Sequence, residues 1–369
     1  GSTRKVSELC IEKIDTYNST DLVEVMLMLC YDYLKYNNCL RVELMLSKGK
    51  SIDGLMRHVR DNHGLSIGGS KEKKELLNMG YYHGYKAYKF NKRKADTLKY
   101  STFSEIQAVH EFDNEVKALF YPLVMKIETA IKNYTIDEIV KNSQVSFEEI
   151  YDTKLVDYKS KKTGSGDYSK YLKKRLNLRT NIDNTIAYNY QQNTSCIVHF
   201  FHKGDPVPIW ALFEVITLGE FGNFISCLSK QDRIKIAENL NIHDGRTNQN
   251  GRLLENIVFT IKGLRNAIAH NSIVFDCRFN DINVSKQIIS YLHLNTDIKE
   301  ISFDYIVDFL ILLVLLLKEL GTQKTELKRI IREFKKIAEK FRSSIPISEY
   351  NKIMSTNTKP KIEMLLSAI

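Results

Sequence analysis

The feature that most constrains the fold is a long stripe of apolar residues between positions 104 and 134. Its best-defined positions are Val116, Leu119, Phe120, Leu123, Val124, Ile127, Ala130 and Ile131. Side chains that recur every three or four residues share one face of an α-helix and need a packing partner. Residues 104–115 and 116–134 are therefore predicted to form one or two long helices with one buried face. Glu128 is a lone carboxylate close to this stripe.

Other segments predict an all-α protein. The 369 residues contain only 5 Pro and 17 Gly, so few positions interrupt a helix. Further helices are predicted over 5–36 (two helices), 51–59, 71–79, 209–218, 221–228, 232–240, 253–270, 303–320 and 326–342. The apolar run 306–317 contains Asp308 and is shorter than the roughly 20 residues that span a bilayer. It is interpreted as a buried core helix, and no contact with a membrane is expected.

Composition changes predict three regions. Residues 3–100 are interpreted as an N-terminal helical region with an accessory, RNA-contacting role. Residues 101–320 would form the main domain, with a basic insertion at about 143–195 that has the character of a mobile connector. Residues 321–369 would add a basic helical extension.

The net charge of +10 and the pI of about 9.0 suit a polyanionic partner such as nucleic acid. The first group of candidate RNA contacts is Tyr81, Tyr82, Lys92, Arg93 and Lys94. The second group is Lys159, Lys161, Lys162, Lys170, Lys173, Lys174, Arg175 and Arg179. Lys and Arg hold phosphates, and Tyr stacks on unpaired bases. The second group flanks the Gly-Ser break at 164–166, which would suit a flexible arm that follows phosphates. The alternative for both groups is a solvated surface or linker.

The six cysteines are scattered and include no CxxC pair, which favours reduced thiols and a cytoplasmic location. No signal peptide is expected. Cys196, His199 and His202 are spaced like metal ligands, but apolar residues separate them and no further ligand cluster is obvious. We therefore expect neither a metal nor another cofactor.

The motif with the clearest chemistry is Arg265-Asn266-Ala267-Ile268-Ala269-His270, near the end of a predicted helix. Arg is a permanent cation with a fork that fits a phosphate, and His exchanges protons near neutral pH. Together they suit metal-independent RNA cleavage through the 2′-OH, with His270 as acid or base and Arg265 stabilising the transition state. The alternative is that both are ordinary polar residues at a helix end.

The spacing within this motif predicts a homodimer. Asn266 and His270 are four residues apart and share one helix face, whereas Arg265 points well around the helix. Two copies of the helix facing each other across a two-fold axis would pair both His and both Arg side chains. One His270 would then act as base and the other as acid.

Five segments, taken together and in order, resemble the Abi-like (AbiD/AbiF) abortive-infection family of bacteria. They are 77–85 (LNMGYYHGY), 112–119 (FDNEVKAL), 126–133 (KIETAIKN), 208–219 (PIWALFEVITLG) and 263–271 (GLRNAIAHN). The resemblance covers roughly residues 51–280.

This resemblance implies that residues 101–320 form a HEPN domain, which is an antiparallel helical bundle with the RNxxxH motif on its last core helix. It also implies phage defence through RNA cleavage and, in the AbiF branch, a noncoding RNA that restrains the toxin. Arg265, Asn266 and His270 then carry over as catalytic residues, and Glu128 as the acidic residue that orients Arg265 or His270. Which RNA is cut, with tRNA as one candidate, stays open. A silent HEPN module that binds RNA or a protein is the alternative.

The sequence departs from the family pattern at three positions. His83 stands where the family often has Arg, and Asn271 replaces the second His of its motif. Ser272 stands where related toxins carry a Tyr that is the target of modification. We therefore do not expect regulation through that Tyr.

Overall fold

The computed structural model describes residues 49–369 except positions 142, 144 and 281–283. The two predicted helices of 5–36 and the cysteines Cys10, Cys30 and Cys39 lie outside the described residues. Residues 52–369 group into one compact unit. The division into regions at 100 and 320 stays a prediction.

The described chain is almost entirely helical, as predicted, with one short hairpin. Numbered from the first described helix, the α-helices are α1 Ile52–His63, α2 Gly69–Met79, α3 Phe103–Ile139, α4 Phe147–Thr153, α5 Gly166–Gln191, α6 Ser195–Lys203, α7 Ile209–Val215, α8 Leu218–Cys227, α9 Lys230–Asn239, α10 Leu253–Ala269, α11 Lys286–Thr296, α12 Ile306–Glu319, α13 Lys324–Ser344, α14 Ile347–Met354 and α15 Thr358–Ala368. Shorter segments are the π-helical turn Tyr81–Lys86, the 3₁₀ turn Asp157–Ser160, and strands β1 Phe90–Asn91 and β2 Asp96–Thr97.

Helix α3 is the longest of the described helices, with 37 residues, and forms the centre of the fold. It begins with a capping box in which the Thr102 hydroxyl accepts from the Glu105 amide and the Glu105 carboxylate accepts from the Thr102 amide. The chain remains helical through Pro122. The predicted apolar stripe is buried at Val116, Phe120 and Val124. One long helix, not two, therefore presents this stripe to the core.

Several helices pack on α3, among them α10, α12 and α13. Between α3 and α13, Phe112 stacks on Phe341 with 4.3 Å between ring centroids. Phe120 stacks on Phe334 at 5.9 Å. The C-terminal basic helix thus covers part of the central helix, because its apolar face packs there while its charged face stays in solvent.

Helix α12 is buried all around, as its uniform apolarity predicts. Its polar residue Asp308 is buried and pairs with Lys361 of α15 at 2.7 Å. Among the described residues, no helix is long and apolar enough to cross a membrane.

Two sequence interpretations need correction. The alternative that Lys92, Arg93 and Lys94 lie in a linker is wrong, because the structure places them in the turn of the β1–β2 hairpin. Their contact with RNA stays a prediction. The mobile arm predicted around 159–179 is largely the 26-residue helix α5. The Gly-Ser break does not loosen this segment, because the Ser165 hydroxyl accepts from the Tyr168 amide and caps α5.

Candidate functional site: the end of helix α10

Helix α10 is amphipathic and carries the RNxxxH motif at its C-terminal end. Its buried face includes Ile257, Ile261 and Leu264, which pack into the core. Arg265 and Asn266 follow directly and are half-buried. The helix ends at Ala269, so the motif lies in its last turn and just beyond it.

His270 caps the C-terminus of α10 and is exposed. The Asn271 amide donates to the Ile268 carbonyl, and the Ser272 amide donates to the Ala267 carbonyl. These bonds, with Asn271 at φ +52°, form a Schellman motif, in which a residue that tolerates the left-handed region follows the cap. Within the described part of the chain, the His270 imidazole makes no hydrogen bond, and the residue is exposed.

Arg265 is fixed by a carboxylate from the central helix. Its Nε donates to Glu128 Oε2 at 3.2 Å, and its Nη1 donates to the Asn266 side-chain oxygen at 3.3 Å. Glu128 is almost fully buried and forms a second ion pair, with Lys132 Nζ at 3.1 Å from Oε1. The Arg265 side chain keeps 30% of its surface exposed. A buried carboxylate therefore holds one edge of the guanidinium while part of it still faces solvent.

The loop after the motif is tied to the same helix. Lys117 Nζ donates to Asn271 Oδ1 at 3.0 Å and pairs with Asp113 at 2.7 Å. The buried Asp113 also accepts from the Val274 and Phe275 amides at 2.8 and 2.7 Å. Asp113 of α3 contacts residues 274 and 275, whereas Glu128, further along α3, contacts the earlier Arg265 of α10. The two helices are therefore antiparallel.

Two aromatic side chains complete this loop. Tyr88 donates to Asp113 Oδ2 at 2.8 Å, and burial together with the nearby Asp113 carboxylate raises the pKa of its phenol well above the usual value. The phenol therefore remains a donor. His83 Nε2 donates to the Asn271 carbonyl at 3.1 Å. Asn271, which follows His270, is thus held by hydrogen bonds to both its backbone and its side chain.

About half of the predicted RNA-contacting cations already have protein partners. Arg93 pairs with Asp304 and Lys94 lies 3.4 Å from the centre of the Tyr305 ring. Lys174 pairs with Glu255, Arg175 with Asp152, and Arg179 with Asp183. These contacts fix the hairpin and α5 to different parts of the chain, so the two basic segments are anchored separately.

The other candidates are more open. Lys92, Lys159, Lys162, Lys170 and Lys173 are exposed. Lys161 lies 4.9 Å from the centre of the Tyr171 ring. Tyr82 is 79% exposed, whereas Tyr81 stacks on Tyr85 at 5.4 Å.

The Cys196, His199 and His202 spacing falls on the nine-residue helix α6. His199 packs edge-on against Phe200, and His202 lies near Tyr190. In the part of the chain that the structure describes, no group of three or more His, Cys, Asp or Glu side chains could hold a metal ion.

Sequence reasoning missed several residues around the motif. Lys132 could have been found from its i,i+4 spacing to Glu128 on a predicted helix. Asp113 and Lys117 share that spacing, but their contacts with the loop after His270 join residues more than 150 positions apart. No local pattern identifies such contacts.

Fold and site together define a class: an all-α protein whose antiparallel helices join a buried carboxylate to an Arg-Asn-x₃-His motif. The family model of the Abi-like proteins matches residues 74–276, which is more than half of the chain. The chain therefore belongs to the Abi-like family, whose name refers to abortive infection, a form of bacterial defence against phage. No curated protein and no solved structure matches the chain.

Proposed function

We propose that this protein is a metal-independent endoribonuclease of the HEPN type, in the AbiD/AbiF branch of its family. It would act in the cytoplasm as a toxin of phage defence. Arg265, Asn266 and His270 would be its catalytic residues. Glu128 would be a positioning residue, because it acts through Arg265.

The observation that carries this proposal is that Glu128 holds Arg265 on the helix whose end carries a free His270. The Glu128 carboxylate holds Arg265 in place, and the exposed imidazole at the end of the same helix is unoccupied by any described residue. A fixed cation and a mobile proton carrier are the two groups that cleavage through the 2′-OH requires.

The reaction balances without another reactant. A base removes the proton of the 2′-OH, and the 2′-oxygen attacks the adjacent phosphorus. The bond from phosphorus to the 5′-oxygen breaks, and an acid gives that oxygen a proton. The products are a 2′,3′-cyclic phosphate and a 5′-OH end. Arg265 would stabilise the charge that builds on the phosphate oxygens.

A single motif supplies one His, whereas the reaction uses a base and an acid. A homodimer in which two α10 ends face each other supplies both. RNA would be the substrate, with tRNA as a candidate, and a noncoding RNA would restrain the toxin. The exposed cations described above would contact phosphates in either case.

The test is incubation of the purified protein with total cellular RNA and with tRNA in EDTA. The matched control is an Arg265→Ala/His270→Ala variant. Cleavage by the parent alone, leaving 2′,3′-cyclic phosphate ends, is the expected result. If neither protein cleaves after co-purified RNA is stripped away, the protein is a silent HEPN module that binds RNA or a protein.

A further inference from the structure

A large cleft lies away from the RNxxxH motif. Its volume is about 1400 Å³, and it separates α5 from the 246–250 loop and the first turns of α10. Small-ligand pockets usually measure roughly 300–1,000 Å³ and are mostly apolar. This cleft is larger and is lined mainly by amides and cations, so it suits an extended polar ligand.

One wall is a stripe along α5. Lys170, Lys173, Lys174, Asn177 and Asn181 line the cleft, and their spacing of i, i+3, i+4, i+7 and i+11 places them on one helix face. Lys174 pairs with Glu255. Lys170 and Lys173 have no ion pair with any described residue. The stripe therefore offers two free charges followed by two amides.

The opposite wall continues this pattern. Arg246, Gln249 and Arg252 line it, and Asn223 contributes from α8. Five Lys or Arg side chains border the cleft. Lys174 and Arg252 pair with Glu255, and Arg246 pairs with Asp244. The unpaired positive charge of the cleft therefore belongs to Lys170 and Lys173, and it favours an anionic ligand.

Four of the lining amides are free to bind a ligand. The side chains of Asn177, Asn181, Asn223 and Gln249 make no hydrogen bond with the described residues. Others in the cleft are already used, since Asn256 donates to Gln287 and Gln287 donates to Asn250. A free carboxamide presents a donor and an acceptor side by side, which matches the edge of an unpaired base.

We infer that this cleft binds a single-stranded segment of RNA. Lys170 and Lys173 contact its phosphates, and Asn177, Asn181 and Gln249 read its base edges. The inference rests on the proposed function in one respect, because it gives the RNA a second contact site. Asn256 of α10 lines the cleft and lies nine residues before Arg265, roughly 14 Å along the helix axis. The cleft therefore selects bases a few nucleotides away from the scissile bond.

The first experiment measures binding without cleavage. All proteins carry Arg265→Ala/His270→Ala, and the probe is a fluorescent single-stranded RNA of about 12 nucleotides, within the range of known single-strand sites. Adding Lys170→Ala/Lys173→Ala should weaken binding about tenfold and lower the slope of log affinity against log salt by about 1.4, at 0.7 per lost phosphate contact. Lys203→Ala/Lys299→Ala removes the same charge from two exposed lysines that lie outside the cleft lining and outside both groups of candidate RNA contacts, and should leave both values unchanged.

The second experiment separates the recognition of base edges from the contacts with phosphates. Asn177→Ala/Asn181→Ala should reduce discrimination among A, U and C homopolymers about tenfold while the salt slope stays constant. Gln192→Ala/Gln231→Ala, two exposed amides outside the cleft lining, is the matched control. Thermal melting of each variant checks that it is folded.

Three outcomes would overturn the inference. Folded cleft variants could bind RNA like their parent, or the matched controls could lose as much affinity. A free mononucleotide could also bind as tightly as the 12-nucleotide probe, which would make this a nucleotide site. Failure of the nuclease assay alone leaves these binding measurements intact, so the two proposals fail independently.

Discussion

At the scale of single residues, the site depends on how Arg265 and Asn271 are held. Arg265 extends from α10 toward α3, where its Nε donates a hydrogen bond to the Glu128 carboxylate. Because Glu128 also binds Lys132, its two oxygens are shared between two cations. This arrangement fixes the carboxylate, so Arg265 is held in one orientation.

We predict that Glu128→Gln lowers the kcat of RNA cleavage about 10- to 100-fold with little change in KM. The amide keeps the size of the side chain but loses the charge that orients Arg265, and small misplacements of a catalytic group have effects of this size. Single-turnover cleavage measures it.

Glu115→Gln is the matched control for this variant, since Glu115 also lies on α3 but pairs with the distant Lys340. Glu128→Asp should recover part of the rate. A Glu128→Gln protein that cleaves like the parent would remove the positioning role.

Asn271 occupies the left-handed region at φ +52° and binds Lys117. We predict that Asn271→Ala destabilises the protein more than Asn271→Gly by about 1 kcal/mol. Both variants lose the bond to Lys117, but only Gly adopts this φ without strain. Urea unfolding of the two variants gives the difference, and equal stabilities would show that the backbone there is unstrained.

At the scale of elements, the C-terminal helices are tied to the core by a buried ion pair. Lys361 of α15 pairs with Asp308 of α12, and Asp308 also accepts from the Ser302 and Phe303 amides. The carboxylate thus closes the turn before α12 and holds α15 against it.

Removal of the cation alone should be costly. We predict that Lys361→Met lowers the free energy of unfolding by about 3–5 kcal/mol, because Asp308 would remain buried and charged without a partner. The double variant Asp308→Asn/Lys361→Met should recover much of this loss. Chemical denaturation measures both, and a single variant as stable as the parent would contradict the prediction.

At the scale of the whole molecule, α13 is part of the core of the described chain. Its residues Phe334 and Phe341 stack on the central helix α3. We predict that a chain ending at residue 320 is insoluble or unfolded, because it would expose this apolar face to water. Soluble expression and circular dichroism test this. A folded, active 1–320 fragment would show that the extension is dispensable.

The proposed dimer makes a quantitative prediction. When parent and His270→Ala subunits are mixed equally and allowed to exchange, a site that needs both His270 side chains retains about a quarter of the activity, as random pairing of a symmetric dimer requires. Independent sites retain about half. Light scattering of the parent gives the mass, and a monomer that cleaves RNA would disprove the composite site.

The sequence by itself determined the helices and the position of the motif. The stripe of α3, the uniformly apolar α12 and the amphipathic α13 follow from periodicity, which is a local property of the chain. The same reasoning fails around α5, where a basic Gly-Ser segment predicts a mobile arm. There the Ser165 cap and packing against α8 decided the structure.

Only the tertiary structure decided which residues meet. Glu128 and Arg265 are 137 positions apart, and each by itself is an ordinary charged residue on a helix. The cleft likewise needs α5 beside the 246–250 loop before its lysines and amides share one space. Periodicity indicates which face of each helix is buried but not which partner covers it, because the choice among partners depends on packing over the whole core.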